Sequence, residues 1–136
     1  MSKLPKILFV CVENTGRSQM AEGFFRKYGQ NFDVLSAGTE PKSTLIAEVV
    51  EVMKEIGIDI TNQKPKLLSN EMINDSIKTI NMGCIDKKSC PSLFVKDVLD
   101  WNIRDPKGKT IEEVRKIREQ IKFKVLRLIK KLEDGL

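Results

Sequence analysis

Cys11 and Arg17 have five residues between them and Ser18 follows directly, in the run Cys11-Val-Glu-Asn-Thr-Gly-Arg17-Ser18. A thiol and a guanidinium at that spacing can serve one centre. The intervening chain can curl until the N–H groups of Val12, Glu13, Asn14, Thr15, Gly16 and Arg17 converge. A helix opening at Ser18 adds the positive end of its dipole to the same point. Arg17 can then clamp two oxygens of a tetrahedral anion with its planar fork. The same field stabilises a thiolate at Cys11, to which Ser18 can donate its hydroxyl. The chemistry implied is attack by sulfur on a bound oxyanion. A bare Cys-x5-Arg often arises by chance, as a buried structural cysteine and a surface arginine. Here the apolar run Lys6-Ile-Leu-Phe-Val10 before it and Gln19-Met-Ala-Glu-Gly23 after it set the motif between a strand and a helix.

The chain has no histidine. Ser-His and Cys-His nucleophile pairs and histidine metal ligands are therefore excluded, and charge and backbone dipoles must activate the nucleophile. Two further cysteines, Cys84 and Cys90, lie in the polar run Met82-Gly-Cys84-Ile-Asp-Lys-Lys-Ser-Cys90-Pro91. Lys87 and Lys88 beside them favour thiolates. Three cysteines without histidine make a poor closed zinc site, so no metal is expected.

Composition narrows the class. The 136 residues suit one domain, spanning 1–136, large enough to fold without disulfides. The net charge of +5 is spread over mixed acids and bases, with the basic excess in the last helix. That excess reads as a solvated face, and aromatic residues do not interleave with it, so no nucleic-acid surface is expected. The balance would still attract a small dianion. No run of about eighteen apolar residues is present, so no membrane partner is expected. The start Met-Ser-Lys-Leu-Pro lacks the features of a signal peptide, and a cytoplasmic location is the default.

The elements that must position these residues alternate between strand and helix. Lys6 to Val10 reads as a buried parallel strand. Ser18 to Tyr28 is expected to be helix, Phe32 to Ala37 a second strand, and Ser43 to Ile56 a second helix stopped by Gly57. Lys78 to Met82 is a third strand. Residues 83–105 read as loop-rich, with a short fourth strand at Val98 to Trp101. Ile111, Val114, Ile117, Ile121, Val125, Leu128 and Leu132 mark a long amphipathic helix. The class is α/β, a four-stranded parallel sheet with helices on both faces. A strand order of 2-1-3-4 sets the ends of the first and third strands side by side, where such sheets bind ligands, and brings Cys11 near Gly83 and Cys84.

The stretch Cys11 to Phe24 resembles the low-molecular-weight protein tyrosine phosphatases, and more closely the thioredoxin-coupled arsenate reductases built on that fold. Ser36-Ala-Gly-Thr-Glu-Pro41, Gly57-Ile-Asp-Ile60 and Asp105-Pro-Lys-Gly-Lys109 look like the reductases in the expected order, so the resemblance spans nearly the whole chain. It implies that Cys11 attacks the central arsenic or phosphorus atom, with Asp105 as general acid on the leaving oxygen. In the reductases a relay follows: Cys84 attacks Cys11, arsenite leaves, and Cys90 resolves the disulfide to Cys84–Cys90 for thioredoxin or a similar dithiol to reduce. No bound redox cofactor is required, and a monomer is expected. The resemblance also makes Asn14, Glu22 and Ser36 supports of the loop and, in some members, of a potassium ion. Those members carry Asp where this chain has Lys66, whose ammonium is expected to replace the ion.

Two features favour the reductase. Tyrosine phosphatases of this type place aromatic residues after the Asp-Pro, where this chain has Lys107-Gly108-Lys109, and reductases need the spare thiols that Cys84 and Cys90 supply. A six-residue helical rise of about 9 Å would hold those two cysteines too far apart for a disulfide, so the oxidised segment must be a loop. Gly16 stands where many relatives have a further cysteine and eases the tight loop. The rivals are a phosphatase using Cys11, Arg17 and Asp105, and a non-catalytic oxyanion or redox sensor.

Overall fold

The computed structural model describes residues 4–83 and 98–135. Its sheet has four parallel strands, β1 (Lys6–Cys11), β2 (Asp33–Gly38), β3 (Lys78–Asn81) and β4 (Val98–Asp100), in the order β2-β1-β3-β4. The expected order is the observed one. The helices are α1 (Arg17–Tyr28), α2 (Ala47–Glu55), α3 (Asn70–Asp75) and α4 (Ile111–Asp134). No described helix is long and apolar enough to cross a membrane.

The central strand explains the layering. Five of the six β1 residues are buried, as a strand covered on both faces demands. Alternate side chains point to opposite faces. Ile7, Phe9 and Cys11 join the large cluster built with α1, α2 and α4, whereas Leu8 and Val10 join a smaller one with Ala37 and Ile73. Phe9 anchors the large cluster, with its ring 5.9 Å from Phe25 and 5.7 Å from Trp101. Cys11 ends β1 on the side of the large cluster, and residues 12–16 lead from it into α1.

Two helices differ from the sequence reading, each for a local reason. The second helix starts at Ala47, because Ile46 is extended and its N–H is taken by the carbonyl of Thr15 at 3.0 Å. It ends as expected, with Gly57 at φ +80°. The third helix, α3, was not expected; it is short and polar, buries only Ile73, and is started by Ser69, which accepts from the Met72 N–H at 3.2 Å. The last helix begins where expected, capped by Thr110, which accepts from the Glu113 N–H at 3.2 Å.

Candidate active site

The loop between β1 and α1 is held from outside by its carbonyls. Those of Cys11, Val12 and Glu13 accept from the N–H groups of Thr39, Glu40 and Lys42 at 3.3, 2.8 and 3.1 Å. That of Asn14 accepts from Gln19 Nε2 at 3.0 Å. Those of Thr15 and Gly16 accept from the Ile46 and Met20 N–H groups, both at 3.0 Å. The carbonyls of residues 11–15 are thus bound by groups outside the loop and that of Gly16 opens the hydrogen bonding of α1, which leaves the loop's N–H groups to converge as an anion cradle requires. The N–H of Asn14 donates to Cys11 Sγ at 3.2 Å.

Asn14 makes the curl possible. Its φ of 56° is the one positive value among described non-glycine residues, in the left-handed region that asparagine tolerates best. It is fully buried, and both its polar atoms have partners. Its Oδ1 accepts from the Lys66 N–H at 2.9 Å, and its Nδ2 donates to Ser18 Oγ at 2.7 Å. Ser18 Oγ lies 2.8 Å from Cys11 Sγ. Because that oxygen already accepts from Asn14, its hydroxyl proton is free to point at the sulfur.

Arg17 begins α1 and folds back over the mouth. Its Nη1 donates to the Ile103 carbonyl at 2.9 Å, and its Nη2 lies 3.8 Å from Asp105 Oδ2. The guanidinium rests on Gly83. A Cβ there would come within 2.5 Å of Nη2 and 2.7 Å of Cζ, so glycine is needed for room. Gly38 is needed more strictly, since its Cβ would collide with the Val12 carbonyl. Gly16 provides space beside Pro106 and Ile46, at 2.8 and 3.2 Å from an added Cβ.

The flank expected to support the loop is also assembled. Glu22 is buried and accepts from Ser36 Oγ and Arg26 Nη2, both at 2.6 Å. Lys66 Nζ lies 3.7 Å from Glu22 Oε1 and donates to the Lys64 carbonyl at 2.9 Å. A cationic group already faces the buried carboxylate, so the residues present do not fit a potassium ion.

The structure thus brings together Cys11 through Ser18 with Asp105, and beside them Asn14, Glu22, Ser36 and Lys66. Cys84 and Cys90 lie outside the described residues. Sequence reasoning missed the strap at 39–46, the Ile103 carbonyl and Gln63, whose Nε2 donates to Gln19 Oε1 at 2.8 Å and so steadies the side chain on Asn14. Backbone acceptors carry no sequence signal, and a lone glutamine carries almost none.

Comparison with known proteins places this geometry. The profile of the low molecular weight phosphotyrosine protein phosphatase family matches residues 6–135. An arsenate reductase of Staphylococcus aureus (strain Newman) is 35% identical over 121 residues, covering 88% of this chain and 92% of its own. A solved arsenate reductase in its phosphate-binding state superposes with a TM-score of 0.84 at 33% identity, over 94% of this chain and 98% of that one. The thioredoxin-dependent arsenate reductase Cg_ArsC1' of Corynebacterium glutamicum superposes with a TM-score of 0.83 at 34% identity, over 99% of this chain and 65% of that one.

Proposed function

The chain belongs to the low molecular weight phosphotyrosine protein phosphatase family, and from that premise we propose that it reduces arsenate to arsenite by a cysteine relay regenerated by thioredoxin or a similar dithiol. One observation carries the reading. The segment that holds Cys84 and Cys90 departs from Gly83, against which the Arg17 guanidinium rests. Gly83, the residue before Cys84 in sequence, thus stands at the wall of the oxyanion cradle. The arsenate reductases among the relatives support the same choice of substrate.

In this reading the Cys11 thiolate attacks arsenic in line. An S–As bond forms, the bond to an arsenate hydroxyl breaks, and that hydroxyl leaves as water with a proton from Asp105. Arg17 swings from Asp105 and the Ile103 carbonyl onto the anion, where its fork and the loop amides hold the remaining oxygens. The Cys84 thiolate then attacks Cys11 Sγ. An S–S bond forms, the S–As electron pair passes to arsenic, and arsenite departs as As(III). Cys90 attacks Cys84 Sγ, which frees Cys11 and leaves a Cys84–Cys90 disulfide for the external dithiol. Free thiols of this kind suit a reducing, cytoplasmic compartment.

A second reading has its own observation. Asp105 lies 3.8 Å from Arg17 at the mouth; in this reading it protonates the leaving ester oxygen as Cys11 takes the phosphoryl group, and water then breaks the S–P bond and releases phosphate, so hydrolysis needs no second thiol. Arsenite formation from arsenate with thioredoxin, thioredoxin reductase and NADPH, run beside hydrolysis of an aryl phosphate, separates the two. Arsenite release over many turnovers is expected. Hydrolysis with no arsenite would move the phosphatase reading ahead.

A further inference from the structure

At the mouth of the oxyanion cradle lies a charge pair that the relay does not use, joined to two groups that it does. Lys107 Nζ sits 3.3 Å from Glu13 Oε2. The Lys107 N–H donates to Asp105 Oδ1 at 3.0 Å, and Asp105 Oδ2 lies 3.8 Å from Arg17 Nη2. Acid and base alternate around the mouth: Glu13, Lys107, Asp105, Arg17. Beneath them Pro106 is buried, close enough to Gly16 that a Cβ there would come within 2.8 Å of Pro106 Cγ. Two segments 94 residues apart in sequence are thus joined by a charge pair above and an apolar contact below.

We propose that Lys107 is a positioning and selecting residue: its bridge to Glu13 pins the Asp105 segment against the oxyanion loop, so that the site takes a compact inorganic oxyanion in preference to a phosphate ester bearing a bulky organic group. The proposal rests on reading Cys11–Arg17 as the oxyanion site, and not on the thiol relay.

The physical asymmetry lies in what each ligand must displace. A free tetrahedral anion needs only Arg17 to turn from Asp105 and the Ile103 carbonyl. An organic group on one oxygen needs room beyond the mouth, and the two segments must part to give it. Parting them takes Lys107 away from Glu13 and leaves a bare carboxylate beside the bound dianion. The side chains of Lys107 and Glu13 are 62% and 28% exposed, so solvent screening limits the bridge to about fivefold in selectivity. Added salt should weaken it.

The test measures how well inorganic phosphate and phenyl phosphate protect Cys11 from iodoacetamide, followed by mass mapping of the Cys11 peptide, so no turnover is needed. The variants are Lys107→Met, which keeps the stem and removes the charge, Glu13→Gln, and the pair together; both positions are solvent-accessible, and circular dichroism checks each fold. Lys107→Met is expected to shift the ratio of the two dissociation constants toward phenyl phosphate by about fivefold. Glu13→Gln should shift it similarly, and the double variant no further, because both remove one interaction. High salt should move the parent ratio toward that of the variants and leave theirs unchanged. A change of charge alone moves both ligands together, so an unchanged ratio overturns the proposal, as does an additive double variant. If neither phosphate protects Cys11 in the parent, the oxyanion reading fails and takes the proposal with it. A shifted ratio in a protein that makes no arsenite overturns the relay alone.

Discussion

Ser18 Oγ stands 2.8 Å from Cys11 Sγ while accepting from Asn14 Nδ2 at 2.7 Å. Asn14 Nδ2 can only donate, so the serine proton is not spent on it, and once Cys11 is ionised that proton is the one that bridges to the sulfur. A hydrogen bond to a charged group contributes about 1.5–3 kcal/mol. Ser18→Ala should therefore slow capture of Cys11 by iodoacetamide at neutral pH, and cut the first chemical step by about 10- to 100-fold. Stopped-flow single turnovers with an aryl phosphate read that step directly. A rate within twofold of the parent would remove Ser18 as a thiolate partner.

Gly83 and Arg17 make a second test. An added methyl at position 83 would meet the guanidinium within 2.5 Å. The guanidinium is the free end of a flexible chain, so it should yield and the backbone should stay. Gly83→Ala is then expected to weaken inorganic phosphate binding by about tenfold, the loss of one charge-assisted contact, with little change in thermal stability. Titration calorimetry and a melting curve separate these outcomes. Unchanged binding would show that the clamp does not lie on Gly83.

Lys66 should make the protein indifferent to potassium. Its ammonium lies 3.7 Å from the buried carboxylate of Glu22, and a second cation there would meet like charge. Melting temperatures in potassium and in choline chloride at equal ionic strength should coincide. Lys66→Asp removes the ammonium and adds an oxygen ligand, so it should gain a saturable potassium stabilisation. Saturable stabilisation of the parent would overturn the assignment.

The contact between α2 and α4 carries a pH dependence. Arg115 donates to Glu55 at 2.6 Å and Arg118 at 2.9 Å. The Arg115 hydrogen bond first, and then that of Arg118, hold the Glu55 carboxyl below its ordinary range. A depressed folded-state value means that the contribution is present above the ordinary glutamate range, about 4.3, and fades as pH falls through the folded value. Urea midpoints of the parent should drop more steeply below pH 4.5 or so than those of Glu55→Gln. Parallel acid limbs would show that this carboxylate does not contribute.

The fold and the loop from Cys11 to Arg17 were legible for the same reason: their signals are local. The apolar run ending at Cys11, the five-residue gap to Arg17 and the periodic apolar face of α4 each lie within one stretch of sequence. What escaped was non-local or belonged to the backbone. The strap at 39–46 binds the loop through peptide groups, which any sequence possesses. Gly83 read only as a neighbour of Cys11, whereas its described role is to leave room for a side chain 66 positions earlier. Lys107 read only as a departure from aromatic relatives, because its partner Glu13 becomes a neighbour only after folding. The α3 helix escaped because one buried residue, Ile73, sets no period.

The relay gives the sharpest separation between reductase and phosphatase. Strand β3 runs parallel to β1, and the Met82 N–H binds the Val10 carbonyl at 2.7 Å. The chain therefore reaches Gly83 level with the nucleophile. Aryl phosphate hydrolysis needs Cys11, Arg17 and Asp105 alone, whereas reduction of arsenic needs a second sulfur to take Cys11 from it. Cys84→Ser should lower multiple-turnover arsenite formation by more than about 100-fold, since an un-ionised alcohol cannot make that attack. It should leave aryl phosphate hydrolysis within about twofold of the parent, because that path never calls on residue 84. Cys90→Ser should stop after one turnover with a Cys11–Cys84 disulfide, visible by mass mapping without reductant. If arsenate-treated parent shows no disulfide at Cys84, or if Cys84→Ser turns over arsenate with thioredoxin at the parent's rate, the thiol relay is wrong. The cradle at Cys11 then serves phosphate-ester hydrolysis.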